Sequence, residues 1–132
     1  MDFTIHEFLS FASVVERESL FDEDRPKIAG VFMNRIEDGW NLQSDITVLY
    51  VLGRTGVELS FAEIDSADSP YNTYLYPGLP VGPISNISEV TMNSCINYES
   101  HDYYYFYARP DGKVLYGRTL ADHETNIINN PW

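Results

Sequence analysis

The chain has 132 residues, 44% of them apolar, which is enough for one domain spanning residues 1–132 with a real core. Twenty acidic residues against eight basic ones give a formal charge of −12, which repels nucleic acid and anionic lipid and excludes both as expected partners. Cys95 is the sole cysteine, so no internal disulfide is possible; the three histidines and the run Asp22-Glu23-Asp24 lack zinc or EF-hand spacing, and neither a metal nor another cofactor is expected.

No internal repeat is visible. The apolar runs are far shorter than a bilayer span and the start lacks the pattern of a signal peptide, so the chain as given is expected to be soluble. Thr4 and Glu7 stand at capping-box spacing and predict a helix from that point through Glu18. At roughly 100° per residue, Ile5, Phe8, Leu9, Ala12 and Val15 form one apolar stripe with Phe11 at its flank. Glu16 falls inside that stripe and Glu18 points away from it. Two readings of Glu16 follow. A carboxyl trapped among apolar groups has a raised pKa and suits general acid/base work; a carboxyl at the rim of the apolar face pairs with Arg25, Lys27 or Arg35 and is structural.

Asp24 as a cap and Pro26 in the first turn predict a second helix over Arg25 to Glu37, stopped by Asp38-Gly39. Residues 41–50 are ambiguous, because β-branched residues favour a strand while Ser44 or Asp45 suits a helix cap. Ser60 and Glu63 repeat the capping-box spacing and predict a short helix. From Ser69 to Asn86, Pro70, Pro77, Gly78, Pro80, Gly82 and Pro83 exclude regular structure; a loop of that length in a compact domain is usually functional. Ser88 opens a helix to about Asn97. Tyr103 to Arg109 and Val114 to Gly117 read as a hairpin around Pro110-Asp111-Gly112-Lys113, and Thr119 with Asp122 opens a last helix carrying His123. The class is α+β: mostly helical, with a small antiparallel hairpin near the C-terminus and a long Pro/Gly-rich ordered loop.

Among polar clusters, Gln43, Ser44, Asp45 and Thr47 read first as a helix cap. Tyr71-Asn72-Thr73-Tyr74 combines two rings with an amide and a hydroxyl, a set suited to stacking on a sugar and bonding its hydroxyls, although the same residues also cap turns and fill cores. The tyrosines of 103–107 need no ligand on a half-buried strand. His123 reads as a first-turn histidine held by a backbone carbonyl, with proton transfer as the minority alternative. No nucleophile elbow, phosphate-cradling glycine loop or zinc helix is present, which leaves carboxylate chemistry or binding.

Five segments, in order, resemble the catalytic domain of the endolytic murein transglycosylases, the YceG-like or MltG family. They are Ala12-Ser13-Val14-Val15-Glu16-Arg17-Glu18, the run from Arg25 to Arg35, Leu42-Gln43-Ser44-Asp45, Tyr71-Asn72-Thr73-Tyr74, and the run from Gly78 to Ile84. Thr119-Leu120-Ala121-Asp122-His123 resembles the family's closing motif. The resemblance implies that Glu16 is the catalytic acid/base, that residues 46–52 are helical, and that Gln43, Ser44, Asp45, Tyr71, Asn72 and Thr73 position substrate. It further implies lytic cleavage of the β-1,4 bond between N-acetylmuramic acid and N-acetylglucosamine in peptidoglycan glycan strands, leaving 1,6-anhydro ends. Full-length members are implied to work beside peptidoglycan synthases at the outer face of the bacterial cytoplasmic membrane, anchored by an N-terminal span and carrying a LysM-like region; neither segment is recognised in these 132 residues. Two other readings stand beside it: a hydrolase in which Asp45 activates water, and a non-catalytic glycan- or protein-binding domain.

Overall fold

Six helices and one two-stranded antiparallel hairpin make up the described residues, 2–54 and 59–131 of a computed structural model. The α+β class is as expected. Helix α1, Ile5–Glu18, begins where its capping box dictates: Thr4 Oγ1 accepts from the Glu7 amide at 3.1 Å, and Glu7 Oε1 accepts from the Thr4 amide at 2.9 Å. Its buried stretch runs from Ser10 to Val15, against α2, α3 and α5. Ile5, expected in the apolar stripe, is 82% exposed, and burial in this helix begins only at Ser10. Packing from several sides also buries residues that a single stripe omits. Ser13 is one of them; its hydroxyl donates to Ser10 O at 2.8 Å and accepts from the Ile84 amide at 3.0 Å, so burial leaves it paired.

Helix α2, Arg25–Glu37, has the predicted limits. Asp24 does not cap it; it lies in a short 3₁₀ turn, Asp22–Asp24, and accepts a hydrogen bond from the Tyr116 hydroxyl at 3.0 Å instead. At Gly30 the helix touches the chain after α5 almost backbone on backbone: a Cβ there would stand 2.2 Å from Glu99 O. Helix α3, Asp45–Leu52, settles the ambiguous segment as helical, and Gly53, at φ +67, ends it. The capping box of Ser60 and Glu63 opens α4, Phe61–Ser66.

Between Ala67 and Ser88 the chain forms no helix or strand, as the prolines and glycines predict, apart from an isolated bridge between Asn41 and Gly78. Buried Asn72 ties this loop down by donating to Ile64 O and Ala67 O, each at 2.9 Å, and accepting from the Tyr74 amide at 2.9 Å. Helix α5, Glu89–Ile96, is capped by Ser88 and places Cys95 in the core. The hairpin pairs β1, Tyr105–Ala108, with β2, Val114–Gly117, in the register Phe106 to Tyr116. Helix α6, Leu120–Asn129, packs on both strands. The core is Phe11, Val15, Ile28, Phe32, Leu42, Ile84 and Cys95, contributed by α1, α2, α5, the segment before α3 and the long loop before α5.

Candidate active site

A cavity of about 440 Å³ opens where the ends of five elements meet. Its walls carry Glu18 from the end of α1, Arg35 from α2, Gln43 and Asp45 from the start of α3, Tyr74 from the long loop, Tyr105 and Tyr107 from β1, and His123 from α6.

Glu18 is the last residue of α1, and Ser19 leaves the helix in an extended conformation. Loss of water around the Glu18 carboxyl pushes its pKa up to about 7; a hydrogen bond from Ser44 opposes the rise, repulsion from Asp45 adds to it, and the Arg35 charge opposes it. Ser44 Oγ donates to Glu18 Oε1 at 3.2 Å, and Ser44 itself is only 2% exposed. Two threonines fix it. Thr47 Oγ1 donates to Ser44 O at 2.7 Å, so the proton shared across the 2.8 Å contact between Thr47 and Thr73 comes from Thr73. Thr73 Oγ1 in turn accepts the Ser44 amide at 3.0 Å. The Gln43 amide donates to Thr73 O at 3.1 Å, and Gln43 holds φ +55, the left-handed region that a non-glycine residue occupies at some cost.

Arg35 is 7% exposed and is held by carbonyls: its Nε donates to Tyr104 O at 2.8 Å and its Nη1 to Leu42 O at 2.5 Å. Its guanidinium carbon lies 5.5 Å from the centre of the Tyr105 ring. Burial lowers its pKa, yet an arginine remains charged. The Tyr74 hydroxyl donates to Asp45 Oδ1, and burial together with that bond lifts the phenol well above its ordinary range. His123 stacks on Tyr105 with centres 5.2 Å apart and planes 25° apart. Burial, then the Arg35 charge, lowers its pKa, which favours the neutral ring, while Glu124 opposes the shift. Its Nδ1 is buried without a hydrogen bond among the described residues, and the carbonyl partner expected for it is not there.

Glu16 does not line this cavity. Its Oε2 pairs with Arg25 Nη1 at 3.0 Å, while Oε1 accepts from the Ser88 amide at 2.7 Å and from Thr91 Oγ1 at 3.0 Å. The raised pKa expected for Glu16 is corrected here: desolvation pushes it up, but the hydrogen bonds from Ser88 and Thr91 and the Arg25 charge outweigh that and lower it. The helical stripe placed Glu16 on the buried side correctly, but it could not show that the start of α5 presents an amide and a hydroxyl there and α2 an arginine partner. Of the residues expected to position substrate, Gln43 and Asp45 line the cavity and Ser44 touches Glu18. Tyr71 instead packs on Tyr50 at 4.9 Å and against the core, and Asn72 and Thr73 are buried as braces of the loop.

Sequence reasoning missed Glu18, Arg35, Tyr105 and Tyr107 as cavity residues. The strand period of two, which puts Tyr105 and Tyr107 on one face, was the available signal for the tyrosines. Glu18 carried none, since a helix-face argument has no force at a terminus covered by another segment. No group of three His, Cys, Asp or Glu among the described residues stands close enough together to hold a metal ion.

The family model described as the YceG-like family matches residues 1–129. The chain is 43% identical over 132 residues to an endolytic murein transglycosylase of Streptococcus pneumoniae, covering 96% of this chain and 24% of that protein. It is 38% identical over 120 residues to an endolytic murein transglycosylase of Bacillus subtilis, covering 91% of this chain and 33% of that protein. It therefore spans a third or less of the length of these curated relatives. A crystal structure of a yceG-like protein from Listeria monocytogenes superposes with a TM-score of 0.86 at 42% identity, covering 92% of this chain and 39% of that one.

Proposed function

This chain belongs to the YceG-like family, and from that premise we propose that it is the catalytic domain of an endolytic murein transglycosylase, with Glu18 as its acid/base. The observation that carries this reading is a carboxyl with a pKa raised to about 7, set in a cavity walled by tyrosines and an arginine. Protonated Glu18 donates to the glycosidic oxygen between N-acetylmuramic acid and N-acetylglucosamine, and the bond to C1 breaks as positive charge develops there. The resulting carboxylate then takes the proton of the muramyl C6 hydroxyl while O6 closes on C1, which leaves a 1,6-anhydro end and returns Glu18 to its acid form. One group serves both steps because its pKa lies near the working pH.

Tyr107 offers an aromatic surface to a sugar, Gln43 offers an amide, and buried Arg35 supplies a fixed positive charge. The relatives named as murein transglycosylases support glycan strands of peptidoglycan as the substrate. For a full-length protein, our reading extends to work at the outer face of the cytoplasmic membrane beside peptidoglycan synthases, which rests on the resemblance of its motifs alone. No helix among the described residues is long and apolar enough to cross a membrane.

Asp45 in the same cavity favours one other reading, hydrolysis with Asp45 guiding water to C1. Digestion of purified glycan strands with mass analysis of the ends decides between them. Products one water lighter than reducing ends support the transglycosylase; reducing ends support the hydrolase. Undiminished cleavage by a folded Glu18→Gln variant overturns both.

A further inference from the structure

A second, smaller cavity of about 250 Å³ lies beside the first, and it has a different chemistry. Ile46, Leu49, Ile84 and the Tyr50 ring give it an apolar lining, and Arg17 and Arg54 stand at it. Arg17 is exposed and stands in none of the ion pairs among the described residues, on a chain where acids outnumber bases twenty to eight. Arg54 is bound to Glu63 through Nη2, but its Nε is buried and carries no hydrogen bond among the described residues. An unpaired guanidinium over an aliphatic floor suits a carboxylate borne on small apolar residues.

Its position relates it to the first cavity. Arg17 sits between Glu16 and Glu18 on the last turns of α1, and Ile46 follows Asp45 on the first turn of α3, so successive residues of the same two helices line the two cavities. A helix is about 10 Å across with its side chains, and an extended peptide advances about 3.5 Å per residue. A chain of four residues attached to a sugar in the first cavity therefore reaches about 14 Å, more than the width of α1.

We propose that this second cavity binds the short peptide stem carried by the muramic acid residues of the substrate, with Arg17 pairing to a stem carboxylate and the aliphatic floor taking its alanyl methyl groups. The inference rests on the glycan-cleaving reading, and binding tests it separately from cleavage.

Titrating the whole 132-residue protein with a free stem tetrapeptide, L-alanyl-D-glutamyl-L-lysyl-D-alanine, is expected to shift backbone amide resonances of α3 and the last turn of α1. Arg17→Glu is expected to weaken that binding roughly tenfold or more, as loss of a charge-assisted bond implies, and Arg17→Lys to retain part of it. No shifts in the unmodified protein, or shifts that persist unchanged in Arg17→Glu, overturn the stem site. In parallel, kcat/KM is compared on stem-bearing strands and on strands stripped by an amidase. The site predicts a preference for the stem-bearing strands that falls toward unity in Arg17→Glu; equal rates with the unmodified protein overturn it. Absence of cleavage on both substrates counts against the glycan-cleaving reading, while the titration still decides the stem site.

Discussion

Ser44 donates its hydroxyl to Glu18 at 3.2 Å from a backbone that Thr47 and Thr73 hold in place, so the carboxyl at the cavity floor meets a fixed donor instead of water. On the same helix start, Asp45 repels that carboxyl and raises its pKa. Adjacent residues thus act on one proton with opposite sign.

Opposite shifts of the rate profile follow from this pair. A donor to the ionised form lowers a pKa, so Ser44→Ala is expected to raise that of Glu18 and move the alkaline limb of kcat/KM to higher pH. Asp45→Asn removes a like charge and is expected to move the same limb to lower pH. Arg35, Tyr74 and His123 also face this cavity, and the charge of Arg35 is unaltered in both variants. Profiles of glycan cleavage across pH 5 to 9 measure both; shifts in the same direction would refute the assignment of Glu18.

Removing the acid is expected to stabilise the fold while stopping the reaction. The folded pKa of about 7 lies above the ordinary 4.5, so the folded state holds the proton more tightly than the unfolded chain. Stability from this group is complete below about pH 4.5 and declines as pH rises toward 7, by up to about 3 kcal/mol. Glu18→Gln is expected to be more stable than the parent at pH 8 and equal to it at pH 4, with cleavage reduced by about 10² to 10⁴. Denaturant titrations at the two pH values measure the first effect.

Glu16→Gln is expected to behave in the opposite way. It breaks the pair that joins α1 to α2 and leaves Arg25, whose side chain is 11% exposed, with the exposed Asp22 as its remaining ionic partner. A cost of about 2 kcal/mol is expected, below the value for a fully buried pair because Glu16 retains some exposure, with a fall in Tm of roughly 8 °C. The folded pKa of Glu16 is lowered, so its contribution is present above the ordinary value and is lost as pH falls through the folded one. Melting curves at pH 7 and pH 3 are expected to show a large difference between variant and parent at the first and a small one at the second. A variant that melts like the parent at pH 7 would show that the network carries little.

Gly30→Ala tests the contact that seats α2. The added methyl would stand 2.2 Å from Glu99 O and 2.7 Å from His101 Nε2, and the first of these is backbone that cannot swing aside. A loss of at least about 2 kcal/mol is expected, read as a lowered midpoint in thermal or urea unfolding.

The sequence by itself determined the local elements. Capping boxes at Thr4 and Ser60, Pro26 in the first turn of α2, and the turn residues between the two strands act over a few residues, and the helices and hairpin stand where those signals put them. The order of motifs also identified the family, because residue identities along the chain are all that such a comparison needs. Which carboxyl faces the cavity was decided only by the tertiary structure. Glu16 and Glu18 are two residues apart on one helix, and their pKa values part because the start of α5 brings an amide and a hydroxyl and α2 an arginine to the first, while the start of α3 covers the second and leaves it one hydroxyl. A pKa depends on what surrounds a group in space, and those neighbours lie 9 to 75 residues away along the chain.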